Sequence, residues 1–299
     1  MRLGTRGSAL ALAQSGTVAR AIEERTGERV ELVEIVTSGD RSAAPVQRLG
    51  VGVFVSALRD ALLAKEIDVA VHSYKDLPTA AAEGLAIAAV PPREDPREAL
   101  VARDGLTLAQ LPPGSRVGTG AVRRIAQLRA LGLPVEAVPI RGNVDTRLRK
   151  VASGELDAVL LAYAGLARLG RGDAATEILD PELLLPAPAQ GALAVECRAD
   201  DPLLAVLSIL DDQATRAAVA AERALLSRLE AGCSAPVAGL AEVAGDGQIN
   251  LRGAVWSPDG RFAFRLARTG TPADAATLGR LLAEDLLHAG ADTALGVQR

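Results

Sequence analysis

The residues of this sequence whose types and spacing could do chemistry are one aspartate and a set of arginines. The aspartate lies in the run Asp68-Val69-Ala70-Val71-His72-Ser73-Tyr74-Lys75-Asp76-Leu77-Pro78. Val69 to Val71 reads as a short buried strand. The run then turns polar, and Pro78 forbids a long helix directly after it. In an α/β sheet, ligands bind in the crevice beyond the carboxyl ends of the strands. Asp76 falls there, with Lys75 beside it. Most other candidate ligand groups are cationic: Arg6, Arg123, Arg124, Arg141, Arg147 and Arg168. One carboxylate facing several guanidiniums suits a substrate that carries its own carboxylates and develops positive charge as it reacts. The plain alternative is that Lys75 and Asp76 end a strand on a solvated surface.

The densest of the arginine stretches is Gly118-Thr119-Gly120-Ala121-Val122-Arg123-Arg124. Glycines let a ligand approach the backbone at a helix start, and two arginines follow in the first turn. Cations there oppose the helix dipole, so an anion would relieve them. Solvent-facing arginines are the alternative. No Walker lysine is present and G-x-G-x-x-G is incomplete, so a nucleotide site is not expected. Arg141-Gly142-Asn143-Val144-Asp145-Thr146-Arg147 is a second loop-to-helix start. Arg141 and Arg147 could both reach a carboxylate, or Asp145 could pair with either and make the set structural. A third start has Arg6 just ahead of Ser8, whose hydroxyl can cap the helix. A strand-end histidine such as His72 is more often structural than catalytic. With His288 far off in sequence, no histidine-based zinc site is expected. Cys233 follows Gly232 at a helix-to-strand junction, where an accessible thiol could react, although inert cysteine is the commoner outcome. Cys197, on a strand, is expected to be buried.

Placing these groups takes more than one core. At 299 residues the chain is long for a single domain, so two or three are expected. It is 49% hydrophobic and 23% charged, which fits a globular protein in water. Aromatics are only 2%, so Ala, Leu and Val must build the core, and base stacking on single-stranded nucleic acid is not expected. A net charge of −4 argues against a nucleic-acid footprint and makes the arginines a local array. Lysine occurs only at Lys65, Lys75 and Lys150, and the guanidinium fork suits carboxylates better than a point charge does. No secretory h-region and no membrane-spanning run is seen, which points to a cytoplasmic protein.

Strands are expected at 2–5, 30–36, 68–71 and 85–90, with helices at 8–25 and 54–65 and a Gly-rich mobile loop over 38–53. After a linker at 91–96, a similar unit follows. It has strands around 117, at 135–140 and at 158–161, and helices at 121–130, through 150 and at 164–169. A second linker, 185–191, leads to a strand at 192–196 that could return to the first sheet. Beyond 215 come a helix at 216–229, strands at 237–242, 249–256 and 261–268, and a closing helix at 271–288. Alternating strands and helices call for parallel or mixed sheets. The domains are therefore 1–91 with 192–210, 97–186, and 214–299.

Taken together, several motifs resemble the porphobilinogen deaminase family. They are Gly4-Thr5-Arg6-Gly7-Ser8, Ala70 to Pro78, Arg93-Glu94-Asp95-Pro96-Arg97, Arg141 to Arg147, Leu185-Pro186 with Gln190-Gly191, and Leu229-Glu230-Ala231-Gly232-Cys233. The resemblance implies two similar periplasmic-binding-protein-like α/β domains plus a small α+β third domain, working as a monomer. It implies a transferase that joins four porphobilinogen molecules head to tail, releases ammonia at each step and frees hydroxymethylbilane by hydrolysis. Growth is primed on a dipyrromethane cofactor held by a thioether, which falls on Cys233. The catalytic carboxylate falls on Asp76, which would stabilise the azafulvene cation left when the amine departs. Cofactor contacts fall on Lys75, Ser73, Thr119, Arg123, Arg124, Arg147 and Gly191. Substrate contacts fall on Arg6, Ser8, Arg141, Arg147, Arg168 and Gln190. No metal is implied.

Two stretches depart from the family pattern. Val51 stands where a lysine is frequent, and Gly120 and Ala121 stand where serines are frequent. A reading of another class is a non-catalytic two-lobed binder of small carboxylates. Intact mass separates the two, since a pure binder carries no covalent dipyrrole.

Overall fold

The structure, a computed structural model, describes residues 1–36, 55–231 and 235–295. It falls into two compact units, Met1–Glu94 with Ala192–Arg216, and Asp95–Gly191 with Ala217–Arg299.

In the first unit, β1 (Arg2–Thr5) leads into α1 (Ala9–Thr26). Ser8 caps that helix by accepting the Ala11 N–H, and Gly27 ends it in the left-handed conformation. Val18 and Ile22 lie one helical turn apart and bury against Leu3, Val69 and Val71. β2 (Glu31–Glu34), α2 (Ser56–Leu63), β3 (Val69–Ser73) and β4 (Leu85–Ala89) come next. The loop expected over 38–53 lies outside the described residues. After β3 the chain makes only one turn of 3-10 helix, Tyr74–Asp76, as the position of Pro78 requires.

The second unit opens with β5 (Glu98–Ala102), a strand not foreseen from the sequence because the Pro-rich 91–96 stretch reads on as linker. β6 (Ser115–Thr119), α3 (Val122–Ala130), β7 (Val135–Pro139), α4 (Val144–Ala152), β8 (Ala158–Ala162) and α5 (Tyr163–Arg168) lie close to the expected places. The three-residue β9 (Glu177–Leu179) is too short to show a period.

β10 (Leu193–Arg198) returns to the first unit's sheet, and α6 (Leu203–Leu207) covers its end. α7 (Gln213–Arg228) then leads to β11 (Val237–Val243), β12 (Ile249–Trp256) and β13 (Ala263–Gly270). α8 (Ala275–His288) and α9 (Ala291–Leu295) close the described chain. This antiparallel sheet buries Leu251, Val255 and Leu225 against Leu282 and Leu286.

The two larger sheets share one plan. Their strand orders are β2-β1-β3-β10-β4 and β7-β6-β8-β5-β9. In each, four strands point the same way and one, β10 or β5, runs antiparallel between two of them. β1 matches β6 and β3 matches β8. The carboxyl ends of these parallel strands therefore carry loops of the kind that hold ligands in α/β sheets.

Candidate active site

In the first unit the sites expected from the sequence sit beyond β1 and β3. Arg6 is half-buried between β1 and α1, and Ser8 spends its oxygen on the α1 cap. Ser73 Oγ lies 2.9 Å from Nε2 and 3.1 Å from Oε1 of Gln14, so α1 grips the end of β3. The Tyr74–Asp76 turn is fixed by its backbone: Tyr74 N donates to Ala192 O (3.0 Å) and Leu77 N to Tyr74 O (3.2 Å). Leu77 is buried beneath it, Lys75 is half-buried, and Asp76 is exposed. Asp76 makes no side-chain hydrogen bond or ion pair to the described residues.

His72 is structural here. Its Nε2 lies 3.0 Å from Oε2 of Glu196, a buried carboxylate on β10. Arg59 on α2 donates to the same carboxylate through Nε and Nη2 (2.8 Å to Oε1). Burial alone would raise the Glu196 carboxyl, but hydrogen bonds from His72 and Arg59 hold it below the usual range.

In the second unit the arginine stretches differ from expectation in one respect. Arg123 and Arg124 are buried, not solvent-facing, and the anion that relieves them comes first from the protein. Glu98, fully buried on β5, takes Arg123 Nη2 at 2.8 Å on Oε1 and Arg124 Nη2 at 2.6 Å on Oε2. Arg123 Nη2 also donates to Gln190 Oε1 (3.0 Å), and Gln190 Nε2 donates to Pro96 O (2.8 Å). Arg124 Nη1 donates to Leu160 O (3.0 Å). Thr119 is buried at the end of β6, its hydroxyl accepting from Ala121 N. Arg168 Nη2 donates to Gly191 O (2.6 Å).

Beyond β7, Asn143 caps α4 by accepting the Thr146 N–H (2.9 Å). Asp145 pairs with Arg171 (3.3 Å), so it neutralises neither Arg141 nor Arg147. Arg147 Nε donates to Gly142 O (2.9 Å). Burial, then the charge of Arg124, pushes the Arg147 guanidinium down to about 10. Arg141 Nη1 and Arg124 Nε are buried without a hydrogen-bond partner among the described residues. Each such orphan carries a desolvation penalty of about 1–3 kcal/mol that an acceptor would remove. These donors fit a ligand bearing carboxylates.

Gly120 has a physical reason. A Cβ there would stand 2.8 Å from Ile140 O and 3.6 Å from Arg147 Nη2. Backbone leaves no room for serine as the turn stands, and the close approach brings Arg147 against the β6 loop. Cys233 and Val51 lie outside the described residues. Just ahead of Cys233, α7 ends through Glu230 in the left-handed conformation (φ 52°).

Gln14, Glu98 and Glu196 escaped the sequence reading. Their signal was a polar group on an apolar stripe: Gln14 in line with Val18 and Ile22, and the two glutamates inside short apolar strands.

A family model described as "Porphobilinogen deaminase, dipyromethane cofactor binding domain" matches residues 1–205. The chain belongs to the porphobilinogen deaminase family. A second model, "Porphobilinogen deaminase, C-terminal domain", matches residues 216–288. The chain is 59% identical over 300 residues to "Porphobilinogen deaminase" of Nocardia farcinica, covering 97% of this chain and 86% of the relative. It is 58% identical to the protein of the same name from Mycobacterium tuberculosis, covering 97% of each. Membership makes the chain a transferase with a dipyrromethane cofactor. The methionine-binding protein MetQ, a solved structure, is similar with a TM-score of 0.44 and 12% identity, over 70% of this chain and 89% of that one. A likeness of that size says nothing about ligand or activity. No described helix is long and apolar enough to cross a membrane.

Proposed function

We propose that the chain joins four porphobilinogen molecules head to tail with loss of ammonia, frees hydroxymethylbilane by hydrolysis, and does so with the residues of the two strand-end clusters. The observation that carries the reading is the cluster of Arg124, Arg141 and Arg147. It presents buried N–H groups without acceptors among the described residues and, in Arg147, a guanidinium whose pKa is lowered by burial first and by Arg124 second. Carboxylates on each pyrrole supply both the acceptors and the countercharge.

Asp76 is the catalytic carboxylate. Its exposure and its lack of a side-chain partner among the described residues leave both oxygens to the substrate. As the aminomethyl nitrogen departs, positive charge develops near the pyrrole nitrogen, and a fixed carboxylate there lowers the barrier. Gln14, through Ser73, and the backbone bonds of Tyr74 and Leu77 hold the turn that carries it. Arg6, Ser8, Arg141, Arg147, Arg168 and Gln190 contact substrate carboxylates and chain. Lys75, Ser73, Thr119, Arg123, Arg124, Arg147 and Gly191 hold the cofactor, with Cys233 as its thioether anchor. When bound, the dipyrromethane supplies the primer pyrrole from which growth starts. The protein works as a cytoplasmic monomer in this reading, with no nucleic-acid or membrane partner.

Cys197 is an unsuitable anchor. It is fully buried, and burial pushes its thiol up to about 11, with Asp201 adding to the rise, so little thiolate forms. Active protein should be heavier than its sequence by two porphobilinogen units less the ammonia lost. Cys233→Ser should lose that increment and Cys197→Ser should keep it. An unmodified mass in active protein would refute Cys233 as the cofactor anchor.

A further inference from the structure

Glu98 grips both Arg123 and Arg124, and the proposed reaction gives it no part. Its two oxygens are divided between them, Oε1 to Arg123 and Oε2 to Arg124. A structural ion pair needs one partner. Here consecutive residues on the first turn of α3 are both turned to a single acid on β5. Three buried charges are a poor way to stabilise a core, since apolar residues of similar volume do as well or better. The cations also sit at the helix end that the dipole disfavours for them. Glu98 Oε2 accepts an N–H from Arg124 while Oε1 faces Arg123 Nη2 as an ion pair, Leu160 O takes a second N–H from Arg124, and Arg124 Nε is buried without an acceptor among the described residues.

We propose that Glu98 is a positioning residue for cofactor assembly. It sets the angle and spacing of the Arg123 and Arg124 guanidiniums so that both face the carboxylates of the dipyrromethane. Gln190 completes the brace by accepting from the same Arg123 Nη2 and tying it to Pro96 O. The inference rests on Arg123 and Arg124 being cofactor contacts. It adds that their geometry, not only their charge, is built by β5. Glu98 also competes with the ligand for the same cations. Removing its charge should therefore leave the empty site worse off than the filled one.

The test uses full-length apoprotein, made in cells unable to form porphobilinogen, then loaded with porphobilinogen and followed by intact mass. Glu98→Asp keeps the charge and withdraws it by one methylene. It should fold with a Tm near wild type yet load about 10–100-fold more slowly, the loss expected for a misplacement of about 1 Å. Glu98→Gln keeps the shape and loses the charge. Its apo Tm should fall further than its loaded Tm, so the gain on loading exceeds that of wild type. Glu196→Gln breaks a buried ion pair of the first unit. It should lower apo and loaded Tm equally and leave the loading rate unchanged. A wild-type loading rate in Glu98→Asp overturns the proposal even if Glu98→Gln cannot be folded. Arg124→Leu separates the two levels. Slow loading there with normal loading in Glu98→Asp sinks only the positioning role. Normal loading in Arg124→Leu sinks the cofactor contact beneath it as well.

Discussion

Arg147→Leu should make the cofactor-free protein more stable and the working enzyme slower. The Arg147 guanidinium is held at about 10 against an ordinary 12.5, by burial first and by Arg124 second. At about 1.4 kcal/mol per pH unit, keeping it charged costs the empty protein about 3 kcal/mol. A base whose folded pKa is depressed opposes folding while it stays charged, and that penalty fades only as pH rises through about 10. Leucine removes the charge and keeps much of the buried stem. It gives up only the bond to Gly142 O, a carbonyl in an exposed loop. Full release would raise the apoprotein's Tm by about 6–12 °C, at about 2–4 °C per kcal/mol for a unit of this size. A rise of even a third of that is the expected result at neutral pH. Loading should then stabilise the variant less than wild type, because one cation that the ligand neutralises is gone. Differential scanning of apo and loaded forms reads both quantities, and intact mass reads occupancy. An apo Tm that falls, with an unchanged gain on loading, would show Arg147 to be a structural cation and refute the charge-strain account.

Asp76→Asn keeps size and loses charge, so fully loaded enzyme should turn over about 10²–10³ times more slowly. Asp76→Glu should fall between it and wild type, and wild-type turnover by the loaded Asn variant would remove Asp76 from the chemistry. Glu196 has a folded pKa below its usual 4.5, so its contribution to stability is complete above that value and is lost as pH falls through the folded pKa. Glu196→Gln should therefore be less stable at neutral pH and lose less on acidification, which urea unfolding at a series of pH values checks.

Much of the framework could be read from sequence because its signals are local. Ser8 and Gly27 bound α1, Pro78 stops the chain after β3, and glycines mark the helix starts. The missed β5 and β9 are short strands whose partners lie far away in the chain, and neither shows a period of its own. The arginines were visible as residue types, but what they face was not. Glu98 lies 25 residues before Arg123, and only the β5-β8 and β6-β8 pairings bring β5 beside the α3 start. Asp145 shows the converse: near Arg141 and Arg147 in sequence, it pairs with Arg171 instead. Local pattern gives elements and caps. Ion pairs across strands depend on register, which a single sequence does not display.

The placement of β10 bears on how the protein comes to be. This strand lies between β3 and β4, antiparallel to both, and joins Val71 to Val195 across more than a hundred residues of intervening chain. Until residue 198 has left the ribosome, β4 has no neighbour and the first sheet stops at β3. The inserted sheet has all five of its strands by residue 179 and can close while the first one waits. Such long-range closure is slow and leaves a strand edge open in the meantime. The amino-terminal domain, begun first, is thus finished only after the sheet inserted into it. A chain cut at residue 191 should contain a folded middle and a sticky, unfinished beginning.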